Sequence, residues 1–461
     1  FKKRRSVSLK KINLELLGHA CFSLDDGHAR LLNDPWITGN CFNKGWNLQN
    51  EPKIELIKAI ETTFVHITHE HPDHFHVPSL LKLNKELNPI FLIQKTNDKR
   101  VANFLRRKLG KKVIELKDGE IFQLSEKSCI QIYSHGHMDS FSIITSGGFK
   151  ILNINDCVLK NKTSLKKIAK RINMNKHPDV LLSQYSFASY QGNKEEVNLL
   201  KEASNQHIEW VKERILFFKP KIFIPFASHI NWCHEENRYL NYYSVKESQL
   251  TESLKSIINE DSLLSSSNKN ISLNSKNNQL DVKYCLPEKE VSKTNIKDLS
   301  FTIGSNEFNT KSKEAVILEL QSAARKMRNE LSRNNYSLDK FFFIFLSIIR
   351  FIKPINIKIL LSENRFFYMI LSPGIYLKQE LREVPVEIEV AADSVLFCLN
   401  NNFGAETLWV NSRFKSFSKD RKKFFKHFYL PILNNQGFLI PFGVFRFFFQ
   451  RILLPQIEKY L

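Results

Sequence analysis

The string Thr68 to His76, THEHPDHFH, sets His69, His71, Asp73 and His74 in the pattern H-x-H-x-D-H. A packed core has little use for this many imidazoles and a carboxylate in one turn, because buried polar groups must each find a partner. A loop folded round a cation uses all of them. Neutral imidazole and carboxylate oxygen are good ligands for zinc and iron, and manganese suits the same donors. The residues just before, ETTFVHIT (61–68), read as a buried strand, so the cluster stands at a strand's end. His66 falls within that strand and reads as a core histidine. His76, just past the motif, reads either as a support for the cluster or as surface.

Two cations need more ligands than one loop supplies. Downstream, GHMDSFSIITSGGFKILNIND (136–156) offers His137 before one strand and Asp156 after the next, and PFASHINW (225–232) offers His229 just past another. Residues at strand C-termini and in the loops beyond them can converge on one sheet edge. His135 lies two residues before His137. Strand alternation turns it to the other face, and it is the alternative ligand at that position.

The elements that must position these groups alternate along residues 12–160. ARLLNDPW (29–36), IFLIQ (90–94), KKVIEL (111–116), CIQIYS (129–134), FSIIT (141–145) and FKILNIN (149–155) read as strands, and VPSLLKLNKEL (77–87) has helical spacing. DVLLSQYS (179–186) and KIFIPFAS (221–228) read as two more strands with a long helix, about Glu195 to Phe218, between them. The Ser/Asn/Lys-rich stretch 261–280 reads as a linker, and DVKYCL (281–286) as a last strand returning to the first domain. We therefore expect a catalytic domain over 1–300 and a smaller α+β domain over 301–461. In the latter, 314–331 reads as a helix and 386–414 as a strand, a helix, then a turn into a strand.

Composition narrows the class. The 461 residues are 42% hydrophobic and 12% aromatic, enough for real cores in two or three domains. The net charge of +21 reads either as a preference for anionic partners, namely nucleic acid, acidic lipid headgroups or phosphorylated substrates, or as a solvated lysine-rich surface. No basic-aromatic RNA signature or helix-turn-helix pattern accompanies it, so nucleic acid is not expected. The seven cysteines are scattered without a C-x-x-C, which suits a reducing, cytoplasmic setting. Residues 1–11 are basic with no apolar stretch behind them, and the longest apolar run, Phe341 to Ile349, is shorter than the ~20 residues that span a bilayer. Residue 1 is Phe, so the natural start is expected upstream.

The order and spacing of the cluster and its downstream partners resemble the metallo-β-lactamase superfamily over roughly residues 12–290. The resemblance implies a four-layer αββα sandwich, an α/β (α+β) class fold, with a dinuclear site at one edge of the sheets. It implies two divalent transition metals, zinc first among them: His69, His71 and His137 on one, Asp73, His74 and His229 on the other, and Asp156 between them. A metal-bridging hydroxide is the nucleophile that it implies, with Asp73 or Asp156 orienting it and taking its proton. GHACFSL, NDPWITGNCFNKGW and QYSFASY (184–190) are similar to the branch that holds the ascorbate-6-phosphate lactonases and the N-acylphosphatidylethanolamine phospholipases D. With CHEENRY (233–239), they are most similar to the β-lactamase-like part of CMP-N-acetylneuraminate hydroxylases. On this resemblance His19, Asp34 and Tyr185 line or support the site, and His234 is a candidate to hold a substrate's anionic group.

One departure matters. The hydroxylases also need a Rieske iron-sulfur domain with C-x-H and C-x-x-H ligands, and no Cys here stands two or three residues before a His. The first expectation is therefore a metal-dependent hydrolase acting on an anionic substrate. The second is the catalytic component of a nucleotide-sugar hydroxylase that works with a separate Rieske protein, and the third a membrane-associated lipid-binding protein. Toward the C-terminus, ADSVLFCLNNNFGAETLWVNSRF resembles the sterol-carrier-protein-like fold over about 314–415. The Phe-rich segments 413–428 and 437–461 read either as peripheral contact with an anionic membrane or as faces packed on the preceding domain.

Overall fold

The computed structural model describes residues 10–52, 62–84, 88–96, 99–136, 138–258, 270–276, 279–285, 310–362 and 364–441, with Phe308 and Gly443. His137 and the tail from 444 lie outside the described residues.

The first sheet is built from β1 (Lys10–Leu16), β2 (Phe22–Asp25), β3 (Arg30–Asn33), β5 (Phe64–Ile67), β6 (Ile90–Gln94) and β7 (Val113–Leu116), with β4 (Trp46–Leu48) lying apart. The second runs from β8 (Ile121–Gln123) through β9 (Ser128–His135), β10 (Asp139–Ser146), β11 (Phe149–Asn155) and β12 (Val180–Gln184) to β13 (Ile222–Phe226). A short β14 (Ile230–Trp232) pairs with β4, and the hairpin β15 (Asn270–Lys276)–β16 (Gln279–Cys285) joins the first sheet beside β1. The orders are β16-β15-β1-β2-β3-β5-β6-β7 and β13-β12-β11-β10-β9-β8. In each sheet the strands that lead into the candidate ligands, β3-β5-β6 and β11-β12-β13, run parallel, which brings their C-terminal ends to one edge.

Alternation along these strands makes the layers. Val180, Leu182, Ile222, Ile224 and Leu92 face the space between the sheets, while Leu181, Phe223, Phe91 and Ile93 face outward. Strands buried on both faces carry apolar residues at successive positions for this reason. Helices α1 (Val77–Asn84) and α2 (Arg100–Lys108) cover the first sheet with Leu80, Leu83, Ala102 and Leu105. Helices α3 (Lys162–Arg171), α4 (Val197–Phe218) and α5 (Glu247–Leu254) cover the second with Ile168, Val211, Ile215 and Leu250. The result is the expected αββα sandwich.

The segment read as a linker differs from expectation. Its part 270–276 is strand β15, because Leu273 can enter the inter-sheet core once the segment pairs with β1.

Further along the chain, β17 (Ile355–Ser362), β18 (Arg365–Ser372), β19 (Tyr376–Glu380), β20 (Ile388–Ala391) and β21 (Phe414–Ser416) form a five-stranded sheet in the order β19-β18-β17-β20-β21. Around it pack α6 (Lys313–Asn334), α7 (Asp339–Ile348), α8 (Ala392–Asn400), α9 (Gly404–Asn411) and α10 (Tyr429–Asn435), over a core of their own. The stretch read as a turn before the last strand is α9. Phe414, Phe424 and Phe428 are core side chains, so the aromatic stripe of 413–428 is largely spent on packing. Among the described residues no helix is long and apolar enough to cross a membrane.

Two groups of contacts join this part to the sandwich. Asn193 and Ser416 exchange two hydrogen bonds, 2.6 and 2.9 Å. Asn411, in α9, donates to the Phe42 carbonyl at 3.0 Å, and Arg413 pairs with both Asp393 and Glu236. Gly45 is required at this seam, since a Cβ there would lie 2.4 Å from the Cβ of Asn411.

Candidate metal centre

Each candidate ligand owes its position to a strand end. Strand β5 delivers Thr68 and the loop His69–His74; β11 delivers Asp156; the turn between β1 and β2 holds His19; β13 leads to His229. The Ala227 amide donates to the His19 carbonyl at 2.8 Å, which ties the two sheets together at this edge.

Six side chains form two clusters. His69, His71 and Asp156 each offer a ligand atom within 4.8 Å of the others, and so do His19, Asp73 and His74. His69 Nε2 lies 2.8 Å from His71 Nδ1 and 3.6 Å from Asp156 Oδ2. His74 Nε2 lies 3.2 Å from Asp73 Oδ2 and 3.5 Å from Asp156 Oδ2, so the Asp156 carboxylate touches both clusters. Asp73 Oδ1, His74 Nε2 and Asp156 Oδ1 are buried without a hydrogen-bond partner among the described residues. Such orphaned atoms are costly unless something else satisfies them, and a divalent cation fits this donor set.

A buried scaffold orients the ligands. Asp34 accepts from the Thr68 amide (2.8 Å), the Thr68 hydroxyl (2.7 Å) and His74 Nδ1 (2.9 Å). That last bond leaves the Nε2 lone pair of His74 facing the cluster, the usual arrangement by which an outer carboxylate fixes a ligand's tautomer. Asn155 Nδ2 donates to the Thr68 hydroxyl at 2.9 Å. Asp34 and Asn155 both adopt left-handed backbone, φ 39° and 58°, a conformation that short polar side chains tolerate and that tends to accumulate at functional sites.

The electrostatics follow from burial and mixed charge. Burial lowers the pKa of His69 and of His71, keeping both imidazoles neutral and able to ligate. For His74 burial acts the same way, but the carboxylates of Asp73, Asp156 and Asp34 override it and raise its pKa well above the ordinary value. Burial opposes ionisation of Asp73 and Asp156, yet the surrounding histidines hold both below the carboxylate range.

The remaining expected residues sort as follows. His229 stands outside both clusters, its Nδ1 3.3 Å from the Tyr185 hydroxyl and 3.6 Å from Glu247, while His19 takes the place beside Asp73 at 3.1 Å. Tyr185 thus contacts His229 and no residue of either cluster among the hydrogen bonds described. His234 is not at the cluster: its ring lies 3.9 Å from Glu236, at the seam where Glu236 meets Arg413. His66 Nδ1 donates to Asn33 Oδ1 at 2.7 Å and His76 is held by Ser79 and the Asn40 carbonyl, so both are structural. His135 ends β9 and belongs to neither cluster.

The sequence reading missed Asp139. It begins β10 with Oδ1 3.9 Å from His69 Nε2, and burial together with Asp156 pushes its carboxyl up to about 6 against the pull of His69. An acid two residues past His137 at a strand start was the available signal. It also missed the outer rim, where Arg100 pairs with Glu70 of the metal loop at 2.8 Å and Glu406 of α9 lies close enough to feel both. Phe42, in a run of left-handed residues with Asn43 and Lys44, sets its ring 6.3 Å from that of His71.

The chain is similar to the cytidine monophosphate-N-acetylneuraminic acid hydroxylase of Danio rerio, 27% identical over 255 residues, covering 52% of this chain and 42% of that protein. It thus spans less than half the length of that curated relative. Among solved structures it is similar to Igni18, a metallo hydrolase from Ignicoccus hospitalis, with 16% identity and a TM-score of 0.42 over 58% of this chain and 100% of that one. CmlA, a diiron β-hydroxylase from Streptomyces venezuelae, aligns with 16% identity and a TM-score of 0.38 over 55% of this chain and 52% of its own. The family described as Beta-lactamase superfamily domain matches residues 13–167, the span that carries β1 to β11, the histidine loop and Asp156. Over residues 13–167 the chain is thus similar to the Beta-lactamase superfamily domain, and the strands and helices described above fold as an αββα sandwich.

Proposed function

We propose that the protein is a dinuclear metal-dependent hydrolase acting on a small anionic substrate, with residues 1–300 as the catalytic unit and 301–461 as a covering α+β unit. The observation that carries this is the pair of clusters that meet at Asp156, with Asp73 Oδ1, His74 Nε2 and Asp156 Oδ1 buried and without a hydrogen-bond partner among the described residues. His69, His71 and Asp156 would hold one cation, Asp73, His74 and His19 or His229 the other, with His137 as a further donor to the first. When bound, two divalent cations supply an activated water and neutralise developing negative charge. The chain's own residues do the rest. Asp34 and Thr68 hold His74 in one tautomer. Asp156 presents carboxylate oxygens to both halves of the site, and Asp73 to the half that holds His74 and His19. Asp139, partly exposed and 3.9 Å from His69 Nε2, would accept and return a proton. The basic balance of the chain attracts an anionic substrate.

The second reading is nucleotide-sugar hydroxylation with a separate Rieske protein, favoured by the similarity to the sialic acid hydroxylases. The two chemistries separate cleanly. Purified protein should contain close to two transition metals per chain and cleave an ester under nitrogen without reductant, taking oxygen from labelled water. Turnover that requires molecular oxygen and an added electron-transfer protein would establish the second reading instead.

A further inference from the structure

Helix α7 is apolar on two faces. Phe343 and Leu346 pack inward against the C-terminal core. On the other side Phe341 is 70% exposed, Ile344 55%, Phe345 57% and Ile348 74%, and Ile349, just past the helix, 52%. The spacing 341, 344, 345, 348 is i, i+3, i+4, i+7, a continuous stripe along one face. Scattered exposed apolar residues are ordinary, but a contiguous stripe of aromatic and branched side chains marks an interaction surface.

The charge around the stripe indicates what it meets. The exposed charged side chains of Tyr336 to Pro354 are Lys340, Arg350 and Lys353. The segment's one carboxylate, Asp339, is buried and accepts from the Ser332 hydroxyl at 3.0 Å. From the neighbouring element Lys426 lies over the Phe351 ring, 4.8 Å from its centroid, and its own partner Asp420 is the nearby acid. A helix of 10 residues is about 15 Å long, too short to span a bilayer but suited to lying in its surface.

We propose that α7 docks flat on an anionic phospholipid surface. Phe341, Ile344, Phe345 and Ile348 enter the acyl boundary, and Lys340, Arg350 and Lys353 meet headgroup phosphates. This rests on the exposed stripe and its charges and is independent of the metal-site reading.

The test is flotation of the full chain with phosphatidylserine-containing vesicles and with pure phosphatidylcholine vesicles. The wild-type chain should float with the anionic vesicles and lose binding as salt is raised. Phe341→Ser with Ile348→Ser should abolish it while leaving the circular dichroism and metal content unchanged, since both side chains are exposed. Arg350→Gln and Lys353→Gln should each lower partitioning roughly fivefold, about 1 kcal/mol per charge. No flotation of the wild type, or flotation unaffected by these changes, overturns the proposal. Self-association that the Phe341→Ser, Ile348→Ser variant abolishes, without vesicle binding, also overturns it and makes the face a contact between copies.

Discussion

Replacing Asp34 with asparagine tests how the candidate site is held together. Asp34 is fully buried and its two oxygens accept from the Thr68 amide, the Thr68 hydroxyl and His74 Nδ1, all within 2.9 Å. Asparagine is nearly isosteric, and its carbonyl can still take the Thr68 amide proton. Its NH2 then points at His74 Nδ1 and at the Thr68 hydroxyl, with Asn155 Nδ2, a further donor, 3.4 Å from the same corner. His74 must now accept at Nδ1, so its proton moves to Nε2, the atom that faces Asp73 and Asp156. A protonated Nε2 has no lone pair for a cation. Loss of such an orienting partner costs ~10–100-fold in metal affinity, equivalent to about 1.4–2.7 kcal/mol. The larger effect should fall on the site that His74 serves, because Asp34 holds His74 directly, while His69 and Asp156 feel the change only through the Thr68 hydroxyl and through His74. Competition titration of zinc against a chromophoric chelator should resolve one site weakened by that factor and one close to wild type, with circular dichroism confirming the fold. Two unchanged sites would refute the tautomer argument, and equal weakening of both would refute the division of ligands between them.

His19→Ala and His229→Ala, compared for metal stoichiometry, should show the larger loss for His19, which lies 3.1 Å from Asp73; the reverse order would return the ligand role to His229. Arg413→Ala should destabilise the protein by about 1–3 kcal/mol in denaturant unfolding, because it removes the buried guanidinium that the partly buried carboxylates of Asp393 and Glu236 share; no measurable change would contradict the contribution of that network. Glu406 gives a pH prediction. Burial, reinforced by Glu70 and opposed by Arg100, pushes its carboxyl from 4.5 up to about 7. The folded chain therefore keeps a proton that the unfolded chain has released. Stability should fall as pH rises between about 4.5 and 7, by at most about 1.4 kcal/mol per pH unit from this group, and stay level above. Glu406→Gln should remove that slope in unfolding measurements across the window, and parallel wild-type and variant curves would exclude Glu406 as its source.

Much of the site is written locally. The loop His69–His74 could be read directly because its ligand types lie within one turn, and a turn needs no knowledge of the rest of the chain to bring them together. Asp156 was legible because it follows an apolar strand whose end can be seen in the pattern, whereas Asp34 and the layered sandwich were expected from the resemblance to a known family and not from the pattern. What only the tertiary structure decided depends on distances across the fold. Which of His19 and His229 sits beside Asp73 is set by how the β1–β2 turn meets the end of β13, through the Ala227 to His19 hydrogen bond. Asp139 joins His69 because β10 starts beside β9 at the same edge, which no spacing in a single sequence reveals. The Ser/Asn/Lys-rich segment becomes β15 because β1 offers it an edge to pair with, outweighing its local turn preference. Helix α9 reaches the rim of the metal loop from far along the chain, by the close packing of Gly45 against Asn411. Sequence pattern determines what a segment can bury and ligate; convergence of segments distant in sequence is a property of packing, fixed only when the sheets and their covering helices close on one another.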